Sequence, residues 1–178
     1  MVLSPAALRC MRARSWLRRA EPHIEANDLH AGFIFLWIAL NALYGQAKYR
    51  LREDERTTEF EDIRNFADRM SRLDPGTLQR VLRDPRLEVQ ALLEDRYLDN
   101  TCWARWDAKG IVDKAARDAS CGEPARHKST LITLLRRLYV LRNQIFHGCS
   151  TDRSSKNRPS LEAAVPVLKR LVGRSLGS

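Results

Sequence analysis

The chain has 178 residues, 44% of them apolar and 30% charged, which suits one folded domain with a sizeable core and argues against wholesale disorder. Its four cysteines, Cys10, Cys102, Cys121 and Cys149, lie far apart with no CxxC pair; that spacing argues against a zinc ribbon, a thioredoxin-type motif and a disulfide scaffold, and favours a reducing cytoplasm. The net charge of +9 is carried mainly by arginine, 25 Arg against 6 Lys, and Arg offers a planar fork of donors that matches phosphate.

The sequence predicts helix almost throughout, with Leu, Ala, Arg and Glu dominant and no alternating segments or hairpin dipeptides. Ser4-Pro5 reads as an N-cap and first helical proline. The helix they open runs to about Ala20, is ended by Glu21-Pro22, and turns Leu8, Met11, Ser15 and Leu17 or Trp16 inward. Asn27 or Asp28 caps a second helix that continues to about Tyr49. It contains the most apolar run, AGFIFLWIALNALY over 31–44, which is 14 residues long and short of the ~20 needed to cross a bilayer. It is better explained as a helix buried on most sides. Thr57 or Thr58 starts a third helix, with Phe60, Ile63, Phe66, Ala67 and Met70 forming an amphipathic stripe. Asp74-Pro75-Gly76 reads as a turn. Short helices follow over 77–83 and 86–95, separated by Asp84-Pro85, and another over 103–118. Cys121-Gly122-Glu123-Pro124 is a break. A long helix then spans about Ser129 to His147 and stops at Gly148, a C′ glycine. A polar loop, 149–159, leads to a last helix over Ser160 to Arg174 with Leu161, Val165, Leu168 and Leu171 inward. The expected fold is all-α: a single domain, an up-and-down bundle of about five major helices with shorter ones added.

Charge is distributed unevenly along this bundle. Residues 1–20 carry +5, residues 21–123 carry −5, and residues 124–178 carry +9. Basic ends around an acidic middle make one polyanion-facing surface if the ends meet in space; a solvated basic face is the plainer explanation.

The helix over 129–147 holds the residues best placed for chemistry. Leu131, Leu134, Leu135, Leu138, Arg142, Ile145 and Phe146 follow the helical period, so Arg142 shares a face with leucines. An arginine in an apolar stripe needs an anion or a set of acceptors, because an unpaired buried charge is very costly. Asn143 and His147 are four apart and stack one turn above the other. Arg142 and His147 are roughly 140° apart around an ideal helix, a gap that a long side chain or a loosened last turn closes. At the helix C-terminus the macrodipole favours a cationic imidazole by ~0.3–1 kcal/mol, which suits a general acid. The competing explanation pairs Arg142 with a core acid and makes His147 a cap of its own helix.

The segment Leu141-Arg142-Asn143-Gln144-Ile145-Phe146-His147-Gly148 resembles the R-x(4–6)-H signature of the HEPN superfamily, with Asn143 in the polar position that usually follows the arginine. The apolar run from Phe33 to Gly45 is similar to the upstream helix of HEPN proteins. The likeness covers about 27–48 and 129–172. It implies a HEPN-like helical bundle and a metal-independent endoribonuclease, in which the ribose 2′-hydroxyl attacks the adjacent phosphate to leave a 2′,3′-cyclic phosphate and a 5′-hydroxyl. It implies His147 as acid/base, Arg142 at the scissile phosphate and Asn143 in support. It further implies RNA as substrate, no cofactor or metal, a homodimer with a composite active site, and a toxin or defence role in which a separate antitoxin chain is a further partner. Asn41, on one face of its helix with Trp37 and Tyr44, is a buried amide in need of partners; it either supports Arg142 or His147 or bonds a neighbouring backbone.

Other candidates are plainer. Arg153, Lys156 and Arg158, just past His147, are placed to hold flanking phosphates or to face solvent. Trp103 and Trp106 either stack bases or pack in the core. His23 and His30 are separated by Pro22 and the helix cap and make a poor metal pair. No segment has the makings of a secretion signal or membrane span, so a cytoplasmic protein is expected. The rival to a ribonuclease is a HEPN module that binds RNA or a partner protein without cutting. A third possibility is an antitoxin-like scaffold, with Arg142 salt-bridged inside one protomer.

Overall fold

A computed structural model describes residues 4–45, 58–73, 75–83, 86–98, 124–147 and 157–177. These residues form seven α-helices and no strand: α1 (Pro5–Glu25), α2 (Leu29–Tyr44), α3 (Glu59–Leu73), α4 (Pro75–Arg83), α5 (Arg86–Glu94), α6 (Pro124–Phe146) and α7 (Arg158–Ser175), with a short 3₁₀ turn at Arg96–Leu98. The fold is an all-α bundle. The predicted helix over 103–118, with Trp103 and Trp106, lies outside the described residues, as do Cys102, Cys121, Cys149 and Gly148.

Helix α1 begins as its sequence predicts, with the Ser4 hydroxyl accepting the Ala7 N–H at 3.2 Å and Pro5 in the first turn. It does not stop at Glu21-Pro22. Proline loses its own N–H bond and crowds the carbonyl four residues before it, but so near the helix end the final turn survives through the Ala26 N–H to the Pro22 carbonyl, 3.0 Å. Asn27 then reverses the chain at φ 56°, a left-handed conformation that Asn tolerates better than most residues. The inward face of α1 also differs from expectation. Ala13 and Ala20 are fully buried, with Cys10, Leu17 and Ile24 packed beside them, while Met11 and Trp16 are 51% and 36% exposed. Small residues win the inner face because α1 lies close against α2: a Cβ on Gly32 would come within 3.0 Å of Ile24 Cγ1.

Asp28 caps α2, accepting the Ala31 N–H at 3.2 Å. As expected, α2 is buried on most sides, with Phe33, Leu36, Trp37, Ala39, Leu40, Leu43 and Tyr44 all in the core. It ends at Tyr44, earlier than the predicted Tyr49. Gly45 turns extended, at φ −63° and ψ 141°, and a Cβ there would lie 2.6 Å from the Asn41 carbonyl oxygen. No helix among the described residues is long and apolar enough to cross a membrane.

Helix α3 starts with a capping box. The Thr58 hydroxyl accepts the Glu61 N–H at 3.2 Å, and Glu61 Oε2 accepts the Thr58 N–H at 2.7 Å. Ile63, Phe66 and Ala67 are buried and Met70 packs against them, as the stripe predicts. Pro75 and Gly76, expected in a turn, instead open α4, where proline's missing N–H costs nothing. Helix α6 begins at Pro124, five residues before the predicted start.

One apolar core draws on all seven helices. Helix α2 packs between α1 and α7, α3 and α5 pack on α6, and α5 also packs on α7. A polar node ties the last three together. Asp95 accepts the Tyr97 N–H at 2.9 Å and the Ser160 hydroxyl at 2.5 Å, and its carbonyl accepts Arg137 Nη1 at 2.8 Å. Arg137 is only 3% exposed. This node fixes the register of α6, and hence what its last turn presents.

Candidate functional site

The last turns of α6 carry Arg142, Asn143 and His147. Arg142 is half-buried, as its place among the leucines requires. Its Nη1 donates to Asn143 Oδ1 at 2.8 Å. Its guanidinium lies 4.8 Å from the Phe146 ring centroid and 5.9 Å from that of Tyr139. These aromatics stand at i+4 and i−3 from Arg142 and share its face, and cation–π attraction holds the charge there. Arg142 Nε is buried with no hydrogen-bond partner. Among the described residues no carboxylate forms an ion pair with Arg142, so the salt bridge expected of a scaffold protein is not formed among them.

Further polar groups approach from α2 and α3. The buried Tyr44 hydroxyl donates to Glu59 Oε1 at 3.2 Å. Burial, then the Glu59 carboxylate, pushes the Tyr44 hydroxyl well above the usual tyrosine range, while the Arg142 charge pulls it back down. Tyr44 is thus a fixed neutral donor, and Arg142, Glu59 and the buried Asp62 share one electrostatic neighbourhood. The Trp37 ring meets Tyr139 at a tilt of 47°, with centroids 6.3 Å apart, and its indole Nε1 is another buried donor without an acceptor. The side chains that carry these two orphan donors, Trp37 Nε1 and Arg142 Nε, both approach the Tyr139 ring. Buried donors without acceptors are uncommon in folded proteins and mark places where an acceptor from outside would be welcome.

His147 follows the last helical residue. Its backbone N–H donates to the Asn143 carbonyl at 2.9 Å, closing the turn, while the residue is exposed. Its ring makes no hydrogen bond among the described residues, so the imidazole does not cap its own helix.

The structure thus brings Arg142 and Asn143 into contact and sets His147 on the next turn. It does not bring Asn41 to them. Asn41 is exposed, and its side chain makes no hydrogen bond to α6. The expectation of a buried amide fails because Asn41 lies on a strip of α2 that no helix among the described residues covers. Arg158 is exposed on the first turn of α7 and pairs with Glu162 at 2.9 Å; Arg153 and Lys156 lie outside the described residues. His23 bonds Asp28 at 3.1 Å. Sequence reasoning missed Tyr139, whose i−3 spacing from Arg142 was a usable signal. It also missed Tyr44 and Glu59, which reach the site only through tertiary packing.

Set against family models, curated proteins and solved structures, the chain matches none of them.

Proposed function

We propose that the chain is a metal-independent endoribonuclease of HEPN type, with Arg142 and His147 as its working residues. The observation that carries this reading is the state of Arg142: a half-buried cation clamped between two rings and Asn143, with one buried N–H left over and no carboxylate paired to it among the described residues. Such a guanidinium is set to receive an anion, and a phosphodiester supplies both charge and acceptor oxygens. An exposed imidazole follows within five residues.

In this reading Arg142 binds the phosphate that becomes pentacoordinate, and its charge offsets the charge gathering on the equatorial oxygens. Asn143 holds the guanidinium in place. The 2′-oxygen forms its bond to phosphorus as its proton passes to a base, and the bond to the 5′-oxygen breaks as that oxygen takes up a proton. His147 serves as acid/base in these transfers. A homodimer would supply the second imidazole from its other protomer. The need for a 2′-hydroxyl restricts the substrate to RNA. A toxin or defence role, held in check by an antitoxin chain, suits an enzyme of this kind.

The test is incubation of wild type and His147→Ala with total cellular RNA in EDTA, followed by mapping of product ends. Cyclic-phosphate ends from wild type alone are expected. RNA bound by both proteins and cut by neither would replace the ribonuclease with a non-catalytic binding module.

A further inference from the structure

Helix α1 carries a second surface whose chemistry the ribonuclease reading does not use. Arg9, Arg12, Trp16, Arg19 and His23 recur at i, i+3, i+7, i+10 and i+14, which puts them on one face of the helix. The three arginines are exposed, and no carboxylate among the described residues pairs with them. Over the same stretch, residues 1–20 hold five Arg and no acid. Trp16 is 36% exposed and stacks on Phe35 of α2, with centroids 5.8 Å apart and planes at 17°. The Arg19 guanidinium sits 5.5 Å from the Phe35 centroid, and the His23 ring lies 5.1 Å from it. Asp28, at the end of the stripe, is already engaged by His23.

This surface faces away from Arg142. Phe35 turns toward α1, whereas Trp37, two residues on and roughly 200° around the helix, meets Tyr139 of α6. The two sites therefore stand on different sides of α2.

We propose that the α1 stripe is a docking surface for single-stranded nucleic acid. A row of guanidinium groups that no described carboxylate pairs, with an exposed, rigidly backed indole among them, combines the two features that such binding needs: cations that follow the phosphates and a flat ring on which a base stacks whatever its identity. The Phe35 ring fixes the indole plane, so little rotamer freedom remains to be lost when a base stacks. Arg9 and Arg19 span about 15 Å of helix, which accommodates a few nucleotides. The surplus of positive charge, with no acid among residues 1–20 to offset it, is complementary to a polyanion and not to a second copy of the same basic face.

The measurement is fluorescence anisotropy of a short labelled 2′-O-methyl oligouridylate titrated with the full chain. This probe lacks the attacking hydroxyl and stays intact. Trp16→Ala weakens binding about tenfold, and Trp16→Phe, which keeps a ring in place, restores most of it. Arg12→Gln combined with Arg19→Gln lowers the slope of log affinity against log salt by about 1.4, the share of two phosphates on a single strand. Because nothing is cut, a chain that never cleaves RNA gives the same answer, and a cleaving chain whose Trp16→Ala form binds normally defeats this surface alone. Unchanged affinity in Trp16→Ala overturns the proposal. So does a set of variants whose only defect is lost binding to phosphatidylserine vesicles or an altered sedimentation coefficient.

Discussion

Arg137 and Arg142 stand five residues apart on α6, both inside its apolar contact surface, and the protein surrounds them differently. Arg137 is 3% exposed and donates to the Asp95 carbonyl at 2.8 Å, in a node that also includes Ser160. Arg142 is half-buried, bonds only its neighbour Asn143 among the described residues, and keeps one buried N–H without a partner. The same residue type on one helix therefore does two jobs. Where the bundle supplies acceptors from another element, arginine fixes register. Where it supplies aromatic rings, arginine is held as a charge with a donor that no described residue accepts. A buried polar group without a partner costs stability, and folds carry such groups where function uses them.

The sharpest way to break this contrast is to remove the chemistry and leave the fold. His147→Ala lowers RNA cleavage by about 10²–10⁴-fold, the range of a lost general acid or base. The side chain is exposed and unbonded among the described residues, so the thermal midpoint stays put. A drop in midpoint that accounts for the lost activity would make His147 a structural residue. At the other arginine the expectation reverses. Arg137→Ala leaves the Asp95 carbonyl with only the Leu98 N–H, unties α6 from this node and removes a side chain from the core, lowering the unfolding free energy by roughly 3 kcal/mol, to be seen as an earlier urea midpoint.

Arg142→Met then tests the contrast directly. Methionine keeps the bulk between Tyr139 and Phe146 and discards a charge with an orphan N–H. Replacing an imperfectly paired buried charge by an apolar side chain is often neutral or stabilising, so stability shifts by no more than about 1 kcal/mol while cleavage is lost. A stability loss as large as that of Arg137→Ala would show Arg142 to be another register pin.

These residues also mark how far the sequence could be read. Period and capping chemistry locate the starts of α2 and α3, the body of α7 and the end of α6, because long apolar stripes and capping residues such as Asp28 and Thr58 are local signals. The orientation of α1 was not legible. Met11 and Trp16 are stronger apolar signals than Ala13 and Ala20, yet close packing on α2 rewards the small residues and leaves the large ones outside. Arg142 was picked out by its place in the leucine stripe. Arg137, more deeply buried, carries no such signal, because its acceptor lies 42 residues away. Asn41 misled for a related reason: a nearly all-apolar helix does not reveal which of its strips no neighbour will cover.

The smallest effect sharpens the environment of Arg142. Tyr44→Phe removes the hydroxyl that donates to Glu59, at a cost of about 0.5–1 kcal/mol near neutral pH, since Glu59 is only partly buried and water replaces much of the bond. The pH dependence is more telling than the size. Burial, reinforced by Glu59, holds the Tyr44 hydroxyl well above its ordinary value of 10.0. The folded state therefore keeps a proton that the unfolded chain releases, and wild-type stability falls as pH rises past that ordinary value. Phenylalanine has no proton to release, so the variant escapes this part of the alkaline loss. Urea midpoints measured between neutral pH and strongly alkaline pH should show the deficit of Tyr44→Phe shrinking and then reversing. Parallel curves for the two proteins would mean that Tyr44 ionises as freely in the folded chain as in the unfolded one. In that case the shared electrostatic neighbourhood of Tyr44, Glu59 and Arg142 would have to be redrawn.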